Sequence, residues 1–487
     1  MEFYIGCFLS IVVLGWWFLC KDSNLVEKKA GIPRGNSGWP FIGETLDFIA
    51  AGYTSRPVSF MEKRKSKYGK VFKTNILGTP VIVSTDPEVN KVVLQNQGNI
   101  FLPAYPKSIK ELVGKSSILQ INGSLHRRVH ALLAGFLRSP QLKARITKDI
   151  ETSVKGCLAS WSTVYPNTIN LQDEVKKITF PILVKVLLSV DAGEDLKVLQ
   201  REFNEFIKGL ICIPVKLPGT TLYKSLKAKE KMLKIVERII AQKRKDGMKK
   251  TEVEKGPPND AVDVLLGEEG NPNATQCLPL DFICHNMIEM IIPGEETTPT
   301  TITLAVKFLT DCPLALSNLR EENMELKKQK AESDDEYAWT DYMSLAFTQN
   351  VINETLRLAN IINAIWRKTE KDVEIKGHLI PRGWCVLASL TSVHMDEKYY
   401  DNPYQFNPWR WEKISVVNNN CFAPFGGGQR LCPGVEISRL EISIFLHHLV
   451  TGYSWVAEDD TIVYFPTVKM KRKLPIRVTP HNKLDSE

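Results

Sequence analysis

A loop near the C-terminus, FAPFGGGQRLCPG at residues 422–434, surrounds one cysteine with residues that leave the backbone accessible. Glycines let backbone N–H groups approach a sulfur, and such donors tune a metal-bound thiolate without protonating it. Arg430, two residues before Cys432, can face an anionic cofactor edge. Pro433 suits the first turn of a helix that begins near Gly434, and a helix N-terminus favours an ionised sulfur. The loop therefore predicts a thiolate ligand for a metal-containing cofactor.

Two other uses of this loop have to be weighed. A nucleotide-phosphate loop also uses glycines, but Leu431 stands where a third glycine would follow Gly426 and Gly428, and no Gly-Lys-Ser/Thr follows in the loop. A buried cysteine in a turn is the ordinary role for a single cysteine. The glycines, the arginine and the proline around Cys432 argue for the ligand instead.

The loop resembles that of the haem-thiolate monooxygenases, the cytochromes P450. Five positions fit their pattern Phe-x-x-Gly-x-Arg-x-Cys-x-Gly: Phe425, Gly428, Arg430, Cys432 and Gly434. The resemblance implies that Cys432 is the axial thiolate ligand of a haem iron. It also implies cofactor-binding roles for Phe425, Gly426 and Gly434, with O2 and NADPH-derived electrons as co-substrates.

Haem propionates need cations, and the resemblance implies which residues supply them. Arg430 and Arg367 match family positions that usually hold propionates. The family's Trp-x-x-x-Arg element is altered here to His126 and His130. The charge that His130 offers a propionate then depends on its protonation, because a histidine can be neutral near pH 7.

Two further motifs follow the family's order along the chain. Glu354 and Arg357 supply a Glu-x-x-Arg pair, and Arg410 lies in the following Pro-Trp-Arg-Trp segment. On a helix, residues three apart share a face. The resemblance implies a buried triad of these three residues behind the haem, with a structural role and no part in bond making.

The segment Pro-Gly-Glu-Glu-Thr-Thr at residues 293–298 is similar to the family's oxygen-activating motif. Activating O2 requires two protons while bulk water stays out, and a hydroxyl beside a carboxylate can relay them. The resemblance implies that Thr297 is this hydroxyl and Glu296 the acid. Pro293 departs from the family pattern, and we expect it to kink the helix because it lacks an N–H.

The composition and charge indicate a protein in a reducing, cytosolic environment. The chain has 487 residues, 43% of them hydrophobic, and a net charge of +8 that is spread along the sequence. Nucleic acid is therefore not an expected partner. Its ten cysteines include no Cys-x-x-Cys pair and are expected to be reduced thiols.

Residues 3–20 carry no charge and are long enough to span a bilayer. A cleaved signal peptide is the alternative, but no basic segment precedes the run and no small-x-small site follows. Lysines after the run favour a cytosolic catalytic domain. We expect an anchor (residues 1–22), a Pro/Gly-rich hinge (23–45), one catalytic domain (46–480) and a tail (481–487), in a single-pass protein of the endoplasmic reticulum membrane.

The periodicity predicts a mainly α fold with small β-sheets, which is also what the resemblance implies. Long helices are predicted at residues 141–162, 195–210, 223–245, 280–311, 313–330, 343–359 and 434–450. A hairpin is predicted at residues 70–85. Mobile surface loops are predicted at residues 243–260 and 327–337.

Apolar segments predict a large pocket with few polar anchors. Its expected lining is Phe101, Leu102, Tyr105, Ile292, Gly294, Ile361, Ile362 and Phe465. Each of these residues could equally belong to the core. The stretch 206–217 could also contact the bilayer and admit a lipid-soluble substrate.

After residue 30 the chain resembles the plant brassinosteroid side-chain hydroxylases, most closely those acting on carbon 23, in stretches such as FIKGLICIPVKLPGT and FPTVKMKRKLPIRV. The resemblance implies a steroid substrate, membrane lipid as a partner and a flavoprotein NADPH-dependent reductase. Hydroxylation of another sterol or a triterpenoid is the alternative. A haem-thiolate isomerase or lyase, or a non-enzymatic haem protein, would not need Glu296 and Thr297.

Overall fold

The computed structural model describes residues 31–96, 99–164, 168–248, 256–267, 278–414 and 420–481. The anchor predicted at residues 3–20 and residues 482–487 of the predicted tail lie outside them. In the described part, no single helix is long and apolar enough to cross a bilayer, and Leu280–Asp311 with Pro313–Ser333 pass that test only as a pair bent by 114°.

Helices dominate the described residues, as the sequence predicts. In chain order they are α1 (Thr45–Ala51), α2 (Ser59–Tyr68), α3 (Pro87–Gln95), α4 (Lys107–Val113), α5 (Gly123–Leu137), α6 (Pro140–Val164), α7 (Leu171–Leu188), α8 (Glu194–Phe206), α9 (Thr221–Met248), α10 (Ala261–Leu266), α11 (Leu280–Asp311), α12 (Pro313–Ser333), α13 (Trp339–Ser344), α14 (Ala346–Ala359), α15 (Thr391–His394) and α16 (Val435–Gly452). The seven long helices predicted from the sequence correspond to α6, α8, α9, α11, α12, α14 and α16.

The strands are short and form small sheets. They are β1 (Val71–Ile76), β2 (Thr79–Ser84), β3 (Phe101–Pro103), β4 (Ile169–Asn170), β5 (Ala364–Thr369), β6 (Val373–Ile375), β7 (His378–Ile380), β8 (Cys385–Ser389), β9 (Tyr453–Ala457), β10 (Ile462–Val463), β11 (Lys469–Met470) and β12 (Pro475–Pro480). The largest sheet has the order β1-β2-β8-β5-β3, and β1 and β2 form the predicted hairpin with Val71 opposite Ser84. This sheet places β3, which carries the predicted pocket residues Phe101 and Leu102, beside β5, which carries Arg367.

Helix α11 runs through the core and packs against α7, α9, α14 and α16. Most of its side chains are buried, as expected for a helix that is apolar around its circumference. It continues unbroken through Pro293 and Pro299. The core therefore holds the 293–298 segment between helices that also carry the other predicted site residues.

The described part of the predicted hinge, residues 31–45, lies against the sheet. Gly35 bridges to Lys73, and a Cβ at this glycine would lie 1.8 Å from the Lys73 carbonyl oxygen. Buried Glu44 pairs with Arg64 at 2.7 Å. The segment is extended, as predicted, and these contacts fix it to the domain.

The loop predicted at residues 327–337 is largely helical, which corrects that prediction. Helix α12 continues to Ser333 because Ala, Lys and Glu are strong helix formers. Beyond it, Tyr337 stacks on Tyr342 with ring centroids 5.4 Å apart. In the other predicted loop, residues 243–248 end α9, and residues 249–255 lie outside the described residues.

Candidate active site

Close packing holds the backbone of the Cys432 loop. Gly426 and Gly428 have φ of 75° and 62°, a region that favours glycine. A Cβ at Gly428 would lie 2.3 Å from the Leu94 carbonyl oxygen at the end of α3. The Cys432 N–H donates to the Phe425 carbonyl at 3.0 Å and closes the loop. Gly428 is therefore required by the approach of the loop to α3, and Gly426 is favoured by its backbone conformation.

The Cys432 sulfur is half-buried at the start of α16. Burial raises the pKa of its thiol, and a hydrogen bond from the Gly434 backbone N–H opposes that rise. Gly434 is the N-cap, so Pro433 precedes the helix instead of occupying its first turn as predicted. Among the described residues, no group of three or more His, Cys, Asp or Glu could hold a metal ion. A lone sulfur suits a metal whose other ligands come from a cofactor.

Among the described residues, two guanidinium groups at the loop have only carbonyl groups as hydrogen-bond partners. Arg430 donates to the carbonyl of Ile121 and, at 3.4 Å, to those of Ile118 and Leu119. Buried Arg367 donates to the carbonyl of Trp366 at 3.0 Å. Burial, and then the charge of Arg367, lower the pKa of Arg430 to about 10.

Two histidines of α5 complete this basic cluster. The rings of His126 and His130 stack at 5.5 Å, and His130 Nε2 lies 2.8 Å from the Leu431 carbonyl oxygen. Burial, followed by the charge of Arg430, lowers the pKa of His126 to about 4. The contact with Leu431 gives His130 a role in holding the loop that the sequence did not indicate. Its contact with a propionate stays a prediction.

These residues fit a haem. No carboxylate of the described residues forms an ion pair with Arg367 or Arg430, although Arg367 is buried and Arg430 is half-buried. Buried cations need anionic partners, and the two propionates of a haem supply two carboxylates. The residues that would hold the group are Cys432 at the metal and Arg367, Arg430 and His130 at its acidic edge.

The predicted triad is brought together in the core. Arg357 donates to both carboxylate oxygens of Glu354, at 2.8 and 2.9 Å, and Arg410 donates to Oε1 at 3.0 Å. Trp411 and the Asn407 backbone also donate to Glu354, at 3.0 and 3.1 Å. Glu354 and Arg357 have no exposed surface. The triad therefore satisfies its buried charges almost completely.

His394 connects the end of α14 to the Cys432 loop. Its Nε2 accepts from the Ala423 N–H at 3.2 Å, so Nδ1 carries the proton and donates to Asn360 at 2.9 Å. Burial lowers the pKa of His394 to about 3, which keeps the ring neutral. From the sequence His394 could be an ordinary turn histidine, and nothing indicated this role because its two partners lie 34 and 29 positions away.

The family model that matches this chain is that of cytochrome P450, over residues 33–478. The chain belongs to the cytochrome P450 family. Its resemblance to plant steroid hydroxylases is also confirmed. The 3-epi-6-deoxocathasterone 23-monooxygenase CYP90C1 of Arabidopsis thaliana is 65% identical over 98% of this chain and 93% of its own length.

Other comparisons agree with this assignment. The 3-epi-6-deoxocathasterone 23-monooxygenase CYP90D1 of Arabidopsis thaliana is 53% identical, over 94% of this chain and 91% of its own. Cholesterol 22-hydroxylase CYP90B27 of Paris polyphylla is 39% identical, over 98% of both. The solved structure of retinoic acid bound cyanobacterial CYP120A1 has the same fold, with a TM-score of 0.79 at 24% identity, over 92% of this chain and 99% of its own. This P450 is thus a monooxygenase that uses haem, O2 and NADPH-derived electrons.

Within α11 of this P450, the two predicted proton-relay residues have different partners. The Thr297 hydroxyl donates to the Pro293 carbonyl at 2.6 Å. Half-buried Glu296 pairs with Lys176 of α7, whose Nζ also lies 3.8 Å from Glu295. Glu295 is 2% exposed, and burial raises its pKa to about 8. The sequence analysis missed this second carboxyl because nothing in the motif distinguishes it from its neighbour.

The predicted pocket residues of the P450 divide into two groups. Phe101 is 1% exposed and packs in the core of the largest sheet. Gly294 lets α11 approach α7 closely, because a Cβ at Gly294 would lie 2.7 Å from the Leu183 side chain. The structure gives these two residues packing roles. The others are partly or largely accessible: Leu102, Tyr105, Ile292, Ile361, Ile362 and Phe465. Their contact with substrate stays a prediction.

Proposed function

We propose that this P450 hydroxylates the side chain of a brassinosteroid precursor at carbon 23. The gradient of identity among its relatives carries the proposal. The two relatives named 3-epi-6-deoxocathasterone 23-monooxygenase are 65% and 53% identical, whereas a 3-dehydrogenase and a 22-hydroxylase of steroids are 41% and 39% identical. The accessible apolar residues of β3, α11 and the 361–362 turn suit a rigid, largely apolar substrate.

The residues of the chain divide the work. When bound, the haem supplies O2 activation and insertion of one oxygen atom into a C–H bond. Cys432 binds the iron, and Arg367, Arg430 and His130 hold the acidic edge of the group. Thr297 presents a hydroxyl on α11, and Glu296 supplies protons to it. Lys176 holds the Glu296 carboxylate, so its release would let that group carry a proton.

We also infer that the protein lies at the endoplasmic reticulum membrane. Two segments present large apolar side chains to solvent, which is unusual unless they meet another apolar surface. Trp39 and Phe41 are 72% and 89% exposed, and Ile213 and Leu217 are 79% and 62% exposed. These segments are expected to contact the bilayer beside the anchor predicted at residues 3–20.

An NADPH-dependent flavoprotein reductase is the proposed electron donor. It would dock near the Cys432 loop, where α3 and α5 contact the loop. Lys91, Arg127 and Arg138 are exposed on or beside these two helices and can meet an acidic partner. Electron transfer should slow as ionic strength rises, and insensitivity to salt would contradict this docking.

The test is turnover by the full-length protein in vesicles with the reductase and NADPH. A panel of sterols with 22-hydroxylated and unmodified side chains is supplied, and NMR locates the new hydroxyl. A product hydroxyl at carbon 23 supports the proposal, and Cys432→Ser should abolish both product and the red-shifted absorption of the reduced CO complex. A hydroxyl only at another carbon, or no Soret shift with any steroid, would refute the proposed substrate and site.

The same panel, with cholesterol and a triterpenoid added, decides the alternative of another sterol or triterpenoid substrate. The relative named cholesterol 22-hydroxylase, at 39% identity, is the observation that keeps this alternative open. Turnover of cholesterol or of a triterpenoid in preference to the 22-hydroxylated steroids would favour it.

A further inference from the structure

A buried ion pair joins α9 to α11. Lys229 Nζ lies 3.1 Å from Glu289 Oε1, and the side chains are 7% and 0% exposed. The proposed proton-relay residues lie farther along α11, and within the described residues the pair forms no hydrogen bond or ion pair with them. Its place between two long helices would suit a purely structural role, but Lys229 has further partners.

Lys229 also binds the end of α4. Its ammonium group donates to the carbonyls of Leu112 and Val113, at 3.1 and 2.9 Å. An ammonium group has three hydrogens, so these two bonds and the one to Glu289 use all of them. The last carbonyls of a helix lack partners within the helix and carry partial negative charge. Lys229 therefore caps α4 from the neighbouring helix.

The residues after α4 are held by α11 as well. The Asn286 side chain accepts from the Ile118 N–H at 2.6 Å and donates to the Ser116 carbonyl at 3.3 Å. Asn286 lies three residues before Glu289, so the two side chains share a face of α11. Ser117 lies beside the Glu289 carboxyl group. Residues 107–121 thus meet two adjacent points of α11.

The same segment connects the two ends of the site. Upstream, it follows Leu102 and Tyr105, which are expected to line the substrate pocket. Downstream, its carbonyls at residues 118–121 accept from Arg430. A displacement of residues 107–121 would therefore reach the pocket wall at one end and the hydrogen-bond partners of Arg430 at the other.

We propose that Lys229 and Glu289 form a positioning pair that holds residues 107–121 closed over the substrate. The pair sets the affinity for the steroid and leaves the chemistry to other residues. The inference rests on the proposed function for the identity of the ligand. The position of the segment can be tested without any ligand.

The experiment compares Lys229→Met and Glu289→Gln with a matched control. Lys243→Met removes another lysine of α9, which pairs with buried Asp260 at 2.6 Å and does not contact residues 107–121. Each full-length variant is loaded with haem and measured by amide hydrogen exchange, steroid-induced Soret shift, and turnover per haem. Turnover is normalised to the reduced CO spectrum, so losses in haem loading do not count.

For Lys229→Met, exchange at residues 110–121 should rise. If the closed fraction falls to about one tenth, the Kd of the steroid rises about tenfold, while kcat stays within about twofold. Glu289→Gln keeps the cap on α4, so its effect should be smaller. Lys243→Met should leave the exchange of residues 107–121 and the steroid Kd unchanged.

Three results would overturn the proposal. Unchanged exchange at residues 110–121 in Lys229→Met would show that the pair does not hold the segment. A fall in thermal stability like that of Lys243→Met, with Kd unchanged, would leave only a structural role. A fall in kcat at constant Kd would place the effect on the chemistry. If the unmodified protein binds no steroid, the proposed function fails, and hydrogen exchange still decides whether the pair holds the segment.

Discussion

Buried carboxylates behave differently on the two sides of this P450. Glu354, in the triad, accepts five hydrogen bonds from four residues. Glu289 and Glu295 of α11 are as deeply buried, but one oxygen of each has no hydrogen-bond partner among the described residues. Desolvation raises the pKa of both α11 carboxyl groups.

This difference in hydrogen bonding makes the triad a fixed scaffold and leaves the carboxyl groups of α11 adjustable. A carboxylate with full hydrogen bonding stays charged and holds its neighbours in one geometry. A buried carboxyl group with few partners can take up a proton at modest cost, and its contacts can change. The triad thus suits the support of a cofactor that must not move, and α11 suits the side where substrate and protons enter.

The largest expected effect comes from breaking the fixed side. Glu354→Gln keeps the shape of the side chain but leaves two buried guanidinium groups without their counter-ion, at a cost of about 3–5 kcal/mol. The haem-loaded protein should be scarce, and its denaturation midpoint should fall sharply. Lys307→Gln, which removes a half-exposed pair with Asp311, should cost about 0.5 kcal/mol or less. Similar losses in both variants would contradict the special role of the triad.

Thr297→Ala tests the adjustable side through chemistry instead of stability. Removing the proposed proton relay should lower product formation about 100-fold while NADPH oxidation continues, so the ratio of product to NADPH falls. Thr301→Ala removes an equivalent hydroxyl, which donates to the Thr297 carbonyl at 2.8 Å. That control should leave the ratio unchanged. Equal ratios in all three proteins would exclude Thr297 from proton delivery.

His394→Ala tests whether the triad side and the Cys432 loop form one unit. The variant leaves the Ala423 N–H and the Asn360 carbonyl group without their partner, at a cost of about 1–3 kcal/mol. The reduced CO complex should lose its thiolate absorption faster on warming. His447→Asn, at an equally buried histidine that bonds Asn323 at 3.0 Å, should lower stability without that spectral change.

The sequence predicts the triad and the Cys432 loop better than it predicts the contacts of α11, because the residues of the triad and the loop fall in short motifs. Glu354 and Arg357 are three residues apart, and the glycines of the Cys432 loop are its immediate neighbours. By contrast, the partners of Lys229 and Asn286 lie 60 and 168 positions away. No local pattern specifies such pairs. For the same reason, the sequence could not show whether the apolar residue Phe101 lines the pocket or packs in the core of the sheet, where the structure places it.

Secondary structure shows the same limit. The seven long amphipathic or apolar helices are predicted within a few residues, but α7 is not. Its sequence, with ITFPILVKVLL at residues 178–188, is rich in β-branched residues and contains Pro181. The β-branched residues favour strands when considered alone, and a proline disfavours the interior of a helix. The packing of α7 against α11 outweighs these preferences. Gly294 of α11 leaves room for the Leu183 side chain of α7.

The smallest predicted effect concerns the pH dependence of stability, and it tests whether Glu295 takes up a proton in the native state. In the unfolded chain its pKa returns to about 4.5, whereas burial raises the native pKa to about 8. Between these values the native state holds a proton that the unfolded state has released, so stability is lost as pH rises from 4.5 toward 8.

Denaturant unfolding should show that Glu295→Gln gains about 1–2 kcal/mol relative to the unmodified protein between about pH 5 and about pH 8. Glu296→Gln, at the half-buried neighbour, should show no such gain. Parallel pH profiles for the unmodified protein and Glu295→Gln would mean that Lys176 keeps Glu295 ionised, and the contrast with Glu354 would then rest on Glu289 alone.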